Sequence, residues 1–401
     1  MPRGPASVPV SAPRFGWVRI CLALVVLTGA GVGATAEVQT DLDVTLALGY
    51  DSNPLRISGD GSNAAFADAR VDGGLTVGSS RATQFFARGG LARRAHGGAS
   101  NADTWGFGVR AGVSTRPPAL QGRGPLSLSA GGAYGESRST FTDRRTGGAY
   151  EVEVEGPGGA PSTVAVPDRF DSRTIGAFFN LRWRPAARTR VSLDLQLDRA
   201  DFLKDYSDAG LAPLDYRTLS VEPGVQYRVN DLVVLGAYVV LTHLDYDEQP
   251  AVGSDGMEVA GTRRRYRYAE HRLAVRVTPR RDLRIDFGAR GGNRSDRYAG
   301  YYDYGSRVTY MAFDQKVSAA DRLQVFASLT RLDYDRATLQ TADDEQVLLG
   351  SRVRRLIGRY DRALRADLGV FVEVGSQHTG SPDPVFTHDR EWMLTGIRFR
   401  R

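Results

Sequence analysis

The sequence predicts an all-β fold, a closed antiparallel barrel of about sixteen strands that crosses a membrane. Two observations predict it. Beyond residue 40, strand-length segments alternate apolar and polar side chains, and the gaps between the segments are alternately short and long. A soluble sandwich also alternates, but its apolar faces meet in a shared core. A membrane barrel turns its apolar face to lipid and joins its strands by short turns on one side and long loops on the other.

The alternation is clearest in two segments. One face of the first carries Leu42, Val44, Leu46, Leu48 and Tyr50, and one face of the second carries Val191, Leu193, Leu195 and Leu197. The opposite faces hold Asp43, Thr45, Ala47 and Gly49 in the first segment and Ser192, Asp194, Gln196 and Asp198 in the second. Because the side chains of a strand point alternately to its two faces, each segment has one apolar and one hydrated face.

Applied along the chain, the pattern predicts sixteen strands. They cover about residues 40–50, 64–78, 83–95, 104–116, 125–140, 172–185, 188–203, 215–229, 232–247, 263–278, 282–296, 304–318, 322–335, 346–360, 366–378 and 390–400. Turn-forming residues fill the short gaps at 79–81, 185–187, 230–231, 279–281 and 319–321. The long gaps include 51–63, 141–171, 248–262 and 379–389. This order predicts periplasmic turns, extracellular loops and both ends of the barrel in the periplasm.

Residues 1–36 are predicted to be a signal peptide, cleaved near Ala36, which leaves residues 37–401 as the barrel. Three arginines precede an apolar run at residues 20–32. That run is too short to cross a bilayer as a helix, and the small residues at positions 34 and 36 form a cleavage pattern. The alternative is an N-terminal anchor.

Composition excludes several classes of function. The formal net charge is only +6, from 52 basic and 46 acidic residues, whereas a nucleic-acid binder would concentrate basic charge. The one cysteine, Cys21, lies in the predicted signal peptide, so the mature chain has neither disulfides nor thiolate chemistry. The five histidines lack metal-ligand spacing, and no nucleophile elbow or phosphate loop occurs. We therefore predict no enzyme, no metal and no cofactor, and interpret His243 with Asp245 and Asp247 as solvated polar residues.

The charged residues opposite the apolar faces are predicted to line the lumen. The arginines are Arg70, Arg88, Arg110, Arg182, Arg228, Arg272, Arg276, Arg284, Arg290, Arg352 and Arg354. The carboxylates are Asp43, Asp68, Asp72, Asp194, Asp198, Glu222, Asp286 and Glu373. Either these residues form pairs that brace the wall, or their fixed charges select solutes by sign. A barrel of about sixteen strands is wide enough for an aqueous channel unless something plugs it.

The longest gap, residues 141–171, carries Glu151, Glu153 and Glu155. By position and charge it resembles the third external loop of general porins, which folds inward as an acidic constriction opposite arginines. That resemblance implies a constriction formed by the three glutamates. The alternative is a hairpin that extends outward, with Tyr150, Val152 and Val154 alternating with the glutamates.

Aromatic residues near the predicted strand ends suggest girdles at the two membrane interfaces. They are Trp105, Tyr134, Trp183, Tyr227, Tyr246 and Trp392. The last strand alternates Met393, Thr395, Ile397 and Phe399. It resembles the C-terminal signature that the outer-membrane assembly machinery recognises, which implies that machinery as a partner.

Two further segments carry a family resemblance. Residues 48–54, Leu-Gly-Tyr-Asp-Ser-Asn-Pro, resemble the opening of porin-like bacterial outer-membrane barrels that are often associated with exopolysaccharide or envelope export. Residues 380–390 and the closing strand resemble the last hairpin of surface lipoprotein assembly modifier barrels. The resemblance implies integral residence in a Gram-negative outer membrane. The implied partners are membrane lipids, lipopolysaccharide and envelope-export proteins, with no nucleic acid.

Three functions remain open on the sequence alone. The leading interpretation is a channel or export pore for polar solutes or a surface polymer. The second is a barrel that translocates or assembles lipoprotein clients, and the third is a structural or adhesive barrel with a blocked lumen. Only the first requires an open lumen, so conductance in planar bilayers discriminates it from the third.

Overall fold

A computed structural model describes residues 37–58, 63–78, 83–117, 124–140, 150–155, 161–340 and 346–401. The predicted signal peptide lies outside the described residues. No helix within the described ranges is both long and apolar enough to cross a membrane.

Sixteen antiparallel strands form one closed barrel, which confirms the predicted fold class and strand count. In chain order the barrel strands are β1 (Glu37–Asp51), β2 (Ala64–Gly78), β3 (Thr83–His96), β4 (Thr104–Thr115), β5 (Leu126–Ser139), β8 (Ser172–Ala186), β9 (Thr189–Phe202), β10 (Tyr216–Arg228), β11 (Val233–Tyr246), β14 (Arg265–Arg280), β15 (Leu283–Asp296), β16 (Tyr304–Lys316), β17 (Asp321–Gln340), β18 (Gln346–Ala363), β19 (Leu368–Gly380) and β20 (His388–Arg400). Each pairs with its neighbours in sequence, and β1 closes the barrel by pairing with β20.

Four short strands lie outside the barrel wall. Strand β6 (Glu151–Glu155) pairs with β7 (Pro161–Ala165) in the connection between β5 and β8. Strand β12 (Ala251–Val252) pairs with β13 (Glu258–Val259) in the connection between β11 and β14. Two of the long gaps, 141–171 and 248–262, thus contain a hairpin of their own. We call the end of the barrel that carries these connections the loop end and the opposite end the turn end.

The observed strands follow the predicted boundaries closely, and β2 matches at both ends. The largest departure is β17, which was predicted to end at residue 335 and continues to Gln340. Its register against β18 shifts between Asp333 and Thr338. An irregularity of this kind interrupts the period-two pattern on which the prediction depends.

The exposure of the side chains shows which face of each strand is the outer wall and which is the inner wall. On β1, Leu46 and Leu48 are 48% and 68% exposed, whereas Ala47 between them is 6% exposed. Because a barrel wall is convex outside and concave inside, the crowded face carrying Ala47 is the inner wall. Residues that share the face of Leu48 around the barrel form an apolar belt, which is the arrangement that a bilayer requires of a spanning barrel.

The outer wall differs between its two ends. Next to the apolar belt at the turn end lie aromatic residues, namely Phe85, Trp183, Tyr227, Phe313, Tyr360 and Phe399. At the loop end the outer wall carries charges, among them Arg138, Arg173, Arg199, Asp201, Arg217, Asp245, Arg265, Arg307, Arg331, Arg352 and Arg354. Tyr246 and Trp392 were predicted to lie in girdles, and this is wrong because their register places them on the inner wall.

Part of the inner wall is covered by a hydrophobic cluster. Ala47, Phe66, Phe371, Trp392 and Leu394 are buried together, and Ile357 packs against them. The cluster therefore fills one side of the lumen, beside the strands β1 and β20 that close the barrel. Arginine guanidinium groups cover its rings: that of Arg359 lies 4.0 Å from the centre of the Phe371 ring and that of Arg94 lies 4.5 Å from the centre of Phe66.

Candidate functional site: the inner wall of the barrel

The register places most of the predicted lumen residues on the inner wall. These are Arg70, Arg88, Arg110, Arg182, Arg228, Arg272, Arg276, Arg284, Arg290, Asp43, Asp68, Asp72, Asp194, Asp198, Glu222, Asp286 and Glu373. They occur on ten of the sixteen barrel strands, between β1 and β19, and therefore line much of the circumference of the lumen. Whether they select solutes remains a proposal.

The assignment of Arg352 and Arg354 to the lumen is wrong. Both share the face of Leu356, which is 54% exposed on the apolar belt. The segment 352–357 reads Arg-Val-Arg-Arg-Leu-Ile, with two adjacent arginines and two adjacent aliphatic residues. Arginine and aliphatic side chains occur on both faces of this segment. The period-two pattern therefore does not show which face is the inner one.

Strands β10, β14 and β15 carry two separate groups of ion-paired side chains. Arg272 contacts Glu222 at 3.3 Å and also bonds Glu270, which lies 3.7 Å from Arg290. Nearer the turn end, Arg276 and Arg284 both contact Asp286, at 2.7 and 2.9 Å. Arginine–carboxylate pairs that bridge neighbouring strands hold the wall in register. Five of these side chains line a cavity of about 480 Å³, namely Glu222, Arg272, Arg276, Asp286 and Arg290.

A different sector, on strands β2 to β4, carries arginines without carboxylate partners. Among the described residues, Arg70 and Arg88 form no ion pair, and Arg88 lies directly opposite Arg110. Arg110 lies over the ring of Phe178 at 3.4 Å and donates a hydrogen bond of 3.1 Å to Asn180. This sector therefore presents net positive charge to the lumen.

The most concentrated positive charge lies at the turn end, in what we call the arginine recess. It is a cavity of about 220 Å³ whose charged lining consists of Arg184, Arg188, Arg190, Arg228 and Arg276. No carboxylate lines it among the residues that the structure describes. Only Arg276 is ion-paired within that part of the chain, through Asp286. The recess can therefore bind an anion without first breaking a salt bridge at its four other arginines.

Sequence reasoning identified only part of the recess. It named Arg228 and Arg276 and missed Arg184, Arg188 and Arg190. These three flank the short turn between β8 and β9, where the alternation of the strands ends. The available signal was their density, three arginines within seven residues.

The two segments that carry the family resemblance meet where β1 pairs with β20, which we call the closing seam. Asp51 is fully buried and accepts hydrogen bonds of 3.0 and 2.9 Å from Nε of Arg390. Buried Asn53 donates from its side-chain nitrogen to the backbone oxygens of Ile57 and Asp389, at 2.8 and 3.1 Å. At the turn end of the same seam, Arg398 bonds Asp43 at 2.8 Å. These residues join the first and last strands and are structural.

The candidate constriction lies in the connection that contains β6 and β7. Glu151, Glu153 and Glu155 occupy alternate positions of β6 and so share one face of this hairpin. Glu151 is exposed and forms no ion pair with any described residue. The side chains of Glu153 and Glu155 lie outside the described residues, as do residues 141–149 and 156–160. The constriction therefore stays a prediction.

The histidine and aspartates at positions 243–247 form ion pairs. His243 contacts Asp245 at 3.0 Å on the outer wall at the loop end, and Asp247 contacts Arg199 at 3.5 Å. Within the described ranges, no group of three or more histidine, cysteine, aspartate or glutamate residues could hold a metal ion.

Just outside the strands, two carboxyl groups of the loops have shifted pKa values. Burial raises the pKa of Asp171, which accepts a hydrogen bond of 3.1 Å from the backbone nitrogen of Ser139. The pKa of Asp205 is lowered because it accepts a hydrogen bond of 2.9 Å from the backbone nitrogen of Ser207. Both shifts belong to the anchoring of connections at the loop end.

No protein-family model matches the sequence, and a search of curated proteins finds no match either. Among solved structures, the chain is similar to a loop-deletion mutant of OmpT, an outer membrane protein of Vibrio cholerae, with 9% identity over 91% of this chain and 99% of that one and a TM-score of 0.45. It is similar to an anion-selective porin from Comamonas acidovorans, with 11% identity over 91% and 100% of the two chains and a TM-score of 0.45. A bacterial polysaccharide outer membrane secretin covers 90% of this chain with 98% of its own, at 12% identity and a TM-score of 0.42.

Proposed function

We propose that this protein is a channel of the bacterial outer membrane that passes small polar solutes and favours anions. The observation that carries the proposal is the contrast between the two walls. The outer wall has an apolar belt, whereas the inner wall carries charged residues along its length and an arginine recess without carboxylates at the turn end. Rings of fixed charge that line a pore select permeant ions by sign.

The orientation follows from the connections. Short turns of transmembrane barrels face the periplasm and long loops face the medium. Glu37 and Arg400 both lie at the turn end, so in the proposed orientation the two ends of the barrel face the periplasm. In this orientation the arginine recess lies at the periplasmic end of the lumen.

The test is single-channel recording from the purified barrel in planar bilayers under a KCl gradient. An open lumen gives discrete conductance steps, and excess positive charge on the wall gives a reversal potential of the sign that chloride permeation produces. Silent bilayers with correctly folded protein would contradict the channel, and cation selectivity would contradict the preference for anions.

The position of the recess also favours a second candidate substrate, an anionic polysaccharide exported from the periplasm. Carboxylated sugars present the planar anion that arginine forks bind bidentately. A polyuronate oligosaccharide added on the turn side should then block the current at a lower concentration than on the loop side. A neutral glucan of equal length should show no such asymmetry, and symmetric block by the polyuronate would exclude this substrate.

A further inference from the structure

Four arginines lie side by side on the outer wall at the loop end. Arg307 on β16 is directly opposite Arg331 on β17, which is directly opposite Arg352 on β18. Arg354 follows on the same face of β18 and is opposite Leu329. We call these four residues the arginine row. All four side chains are exposed.

The charges of the row are barely compensated. Arg331 contacts Asp333 at 2.7 Å, but the side chains of Arg307, Arg352 and Arg354 form no hydrogen bond, ion pair or ring contact with any residue that the structure describes. Like charges directly opposite each other on neighbouring strands destabilise a sheet. The row therefore carries an electrostatic cost in the protein alone, and an anion bound between its members would relieve that cost.

Other arginines of the same rim are arranged differently. On strands β8 to β14, Arg173 and Arg199 contact Asp201 at 3.4 and 2.7 Å, and Arg265 contacts Asp245 at 3.2 Å. Abundance of arginine at the loop end therefore does not account for the row. What distinguishes the row is that Arg307, Arg331 and Arg352 lie directly opposite one another on adjacent strands with a single carboxylate contact among them.

The row borders the apolar belt, and this position identifies the class of ligand. Leu329 and Leu356, next to the row on the same face, are 43% and 54% exposed. A ligand at this place must have anionic groups over acyl chains. Guanidinium groups bind phosphates through paired, charge-assisted hydrogen bonds.

We propose that the arginine row binds the phosphate groups of a membrane lipid in the leaflet on the loop side. In the orientation proposed above, that lipid is a phosphorylated glycolipid of the outer leaflet. The binding needs the apolar belt to lie in a bilayer, but it does not need the lumen to conduct. The two proposals can therefore fail separately.

The test uses the full-length barrel in detergent micelles, with bis-phosphorylated lipid A as the probe and native mass spectrometry as the measurement. The variant Arg307→Gln, Arg352→Gln, Arg354→Gln removes the three uncompensated charges. It should bind lipid A at least about tenfold more weakly, because each charge-assisted contact contributes to affinity. The matched control Arg173→Gln, Arg199→Gln, Arg265→Gln removes three paired arginines of the same rim and should bind as the native barrel does.

Two further measurements complete the test. Lipid A without phosphates should bind to the native barrel as weakly as lipid A binds to the row variant, and inorganic phosphate alone should not bind. Equal affinity of the row variant and the native barrel for lipid A would overturn the proposal, and so would equal binding of phosphorylated and dephosphorylated lipid. Retention of free phosphate would show a site for a soluble anion and would also overturn it.

Folding and conduction are measured separately on the same variants. If the triple variant fails to form a heat-modifiable barrel, the double variant Arg352→Gln, Arg354→Gln replaces it. Its affinity for lipid A should fall by a smaller factor than that of the triple variant. Unchanged single-channel conductance in the row variant separates the lipid site from the lumen. Silent channels in every variant, with lipid binding intact in the native barrel, would overturn the proposed channel alone.

Discussion

The closing seam and the arginine recess both contain arginines, but these arginines have carboxylate partners only at the seam. At the seam, Arg390 and Arg398 each have a carboxylate partner, and Asp51 is fully buried. In the recess, four unpaired arginines and Arg276 face a cavity that no carboxylate lines among the residues the structure describes. Arginine charge is thus neutralised where the first and last strands are joined and left largely uncompensated in the recess.

The seam needs this bracing because it joins the two ends of the folded chain. Arg390 and Asp51 are 339 residues apart in sequence, and closing so long a loop has a high entropic cost. The β1–β20 ladder alone can slip in register, since a shift of two residues preserves the faces of a strand. Specific ion pairs at both ends of the seam exclude such shifted registers.

The largest expected effect follows from breaking the seam. Asp51→Ala leaves Arg390, whose side chain is 13% exposed, without its partner, and should lower the free energy of unfolding by about 3–5 kcal/mol. The control Asp367→Ala removes an exposed pair with Arg365 and should cost no more than about 1 kcal/mol. Urea unfolding of the barrel in lipid vesicles measures both. Equal losses would mean that the buried pair does not hold the seam.

The next effect tests the two walls themselves. Leu195→Arg places a charge on the apolar belt near the middle of β9 and should cost about 2–4 kcal/mol. Gln196→Arg, on the adjacent inner-wall position beside Asp198, should be tolerated. The yield of folded barrel and its unfolding free energy distinguish the two variants. Equal tolerance at both positions would show that the assignment of the walls is wrong.

The sequence predicted these walls well because each strand repeats the same physical constraint. On β9, the register leaves Leu197 55% exposed on the outer wall and pairs Asp194 with Asn180 and Arg182 inside. The predicted face was wrong where the two faces of a strand do not differ in polarity. In β18 both faces carry arginine and aliphatic side chains, and the outward position of Arg352 emerges only from pairing with its neighbours.

The seam and the recess were harder to predict for another reason. Both depend on which residues meet across pairs of strands. The segment 48–54 resembles other outer-membrane barrels, but nothing in its own residues indicates that Arg390 pairs with Asp51. Likewise, the shortage of carboxylates around Arg190 becomes visible only when the neighbours from β10 and β14 are in place.

Reversing charges in the recess should change stability less than the two preceding substitutions, but it should clearly change ion selectivity. Arg190→Glu with Arg228→Glu reverses two exposed charges there and should shift the reversal potential toward cations while leaving the barrel folded. The matched control Arg199→Glu with Arg217→Glu makes the same change in charge on the outer wall and should leave selectivity unchanged. Identical shifts in both variants would show that net charge, and not the recess, sets selectivity.

The smallest effect is expected from the loop glutamates, and it separates the two arrangements of the connection between β5 and β8. Strand β6 pairs with β7 in a sheet of its own, and Glu151 has no arginine partner among the described residues. In the first arrangement this hairpin projects into the medium, and its glutamates form no salt bridges to the wall. Replacing Glu151, Glu153 and Glu155 by Gln should therefore leave conductance and selectivity close to those of the native channel.

The same variant has a contrasting outcome if the connection enters the lumen. The glutamates would then face Arg70, Arg88 or Arg110, and their neutralisation would remove the negative side of a transverse field. Selectivity would shift further toward anions, opposite in direction to the recess variant, and recordings from the two variants under one KCl gradient compare the shifts directly. An anion shift as large as the cation shift of the recess variant would establish the constriction and contradict the projecting hairpin.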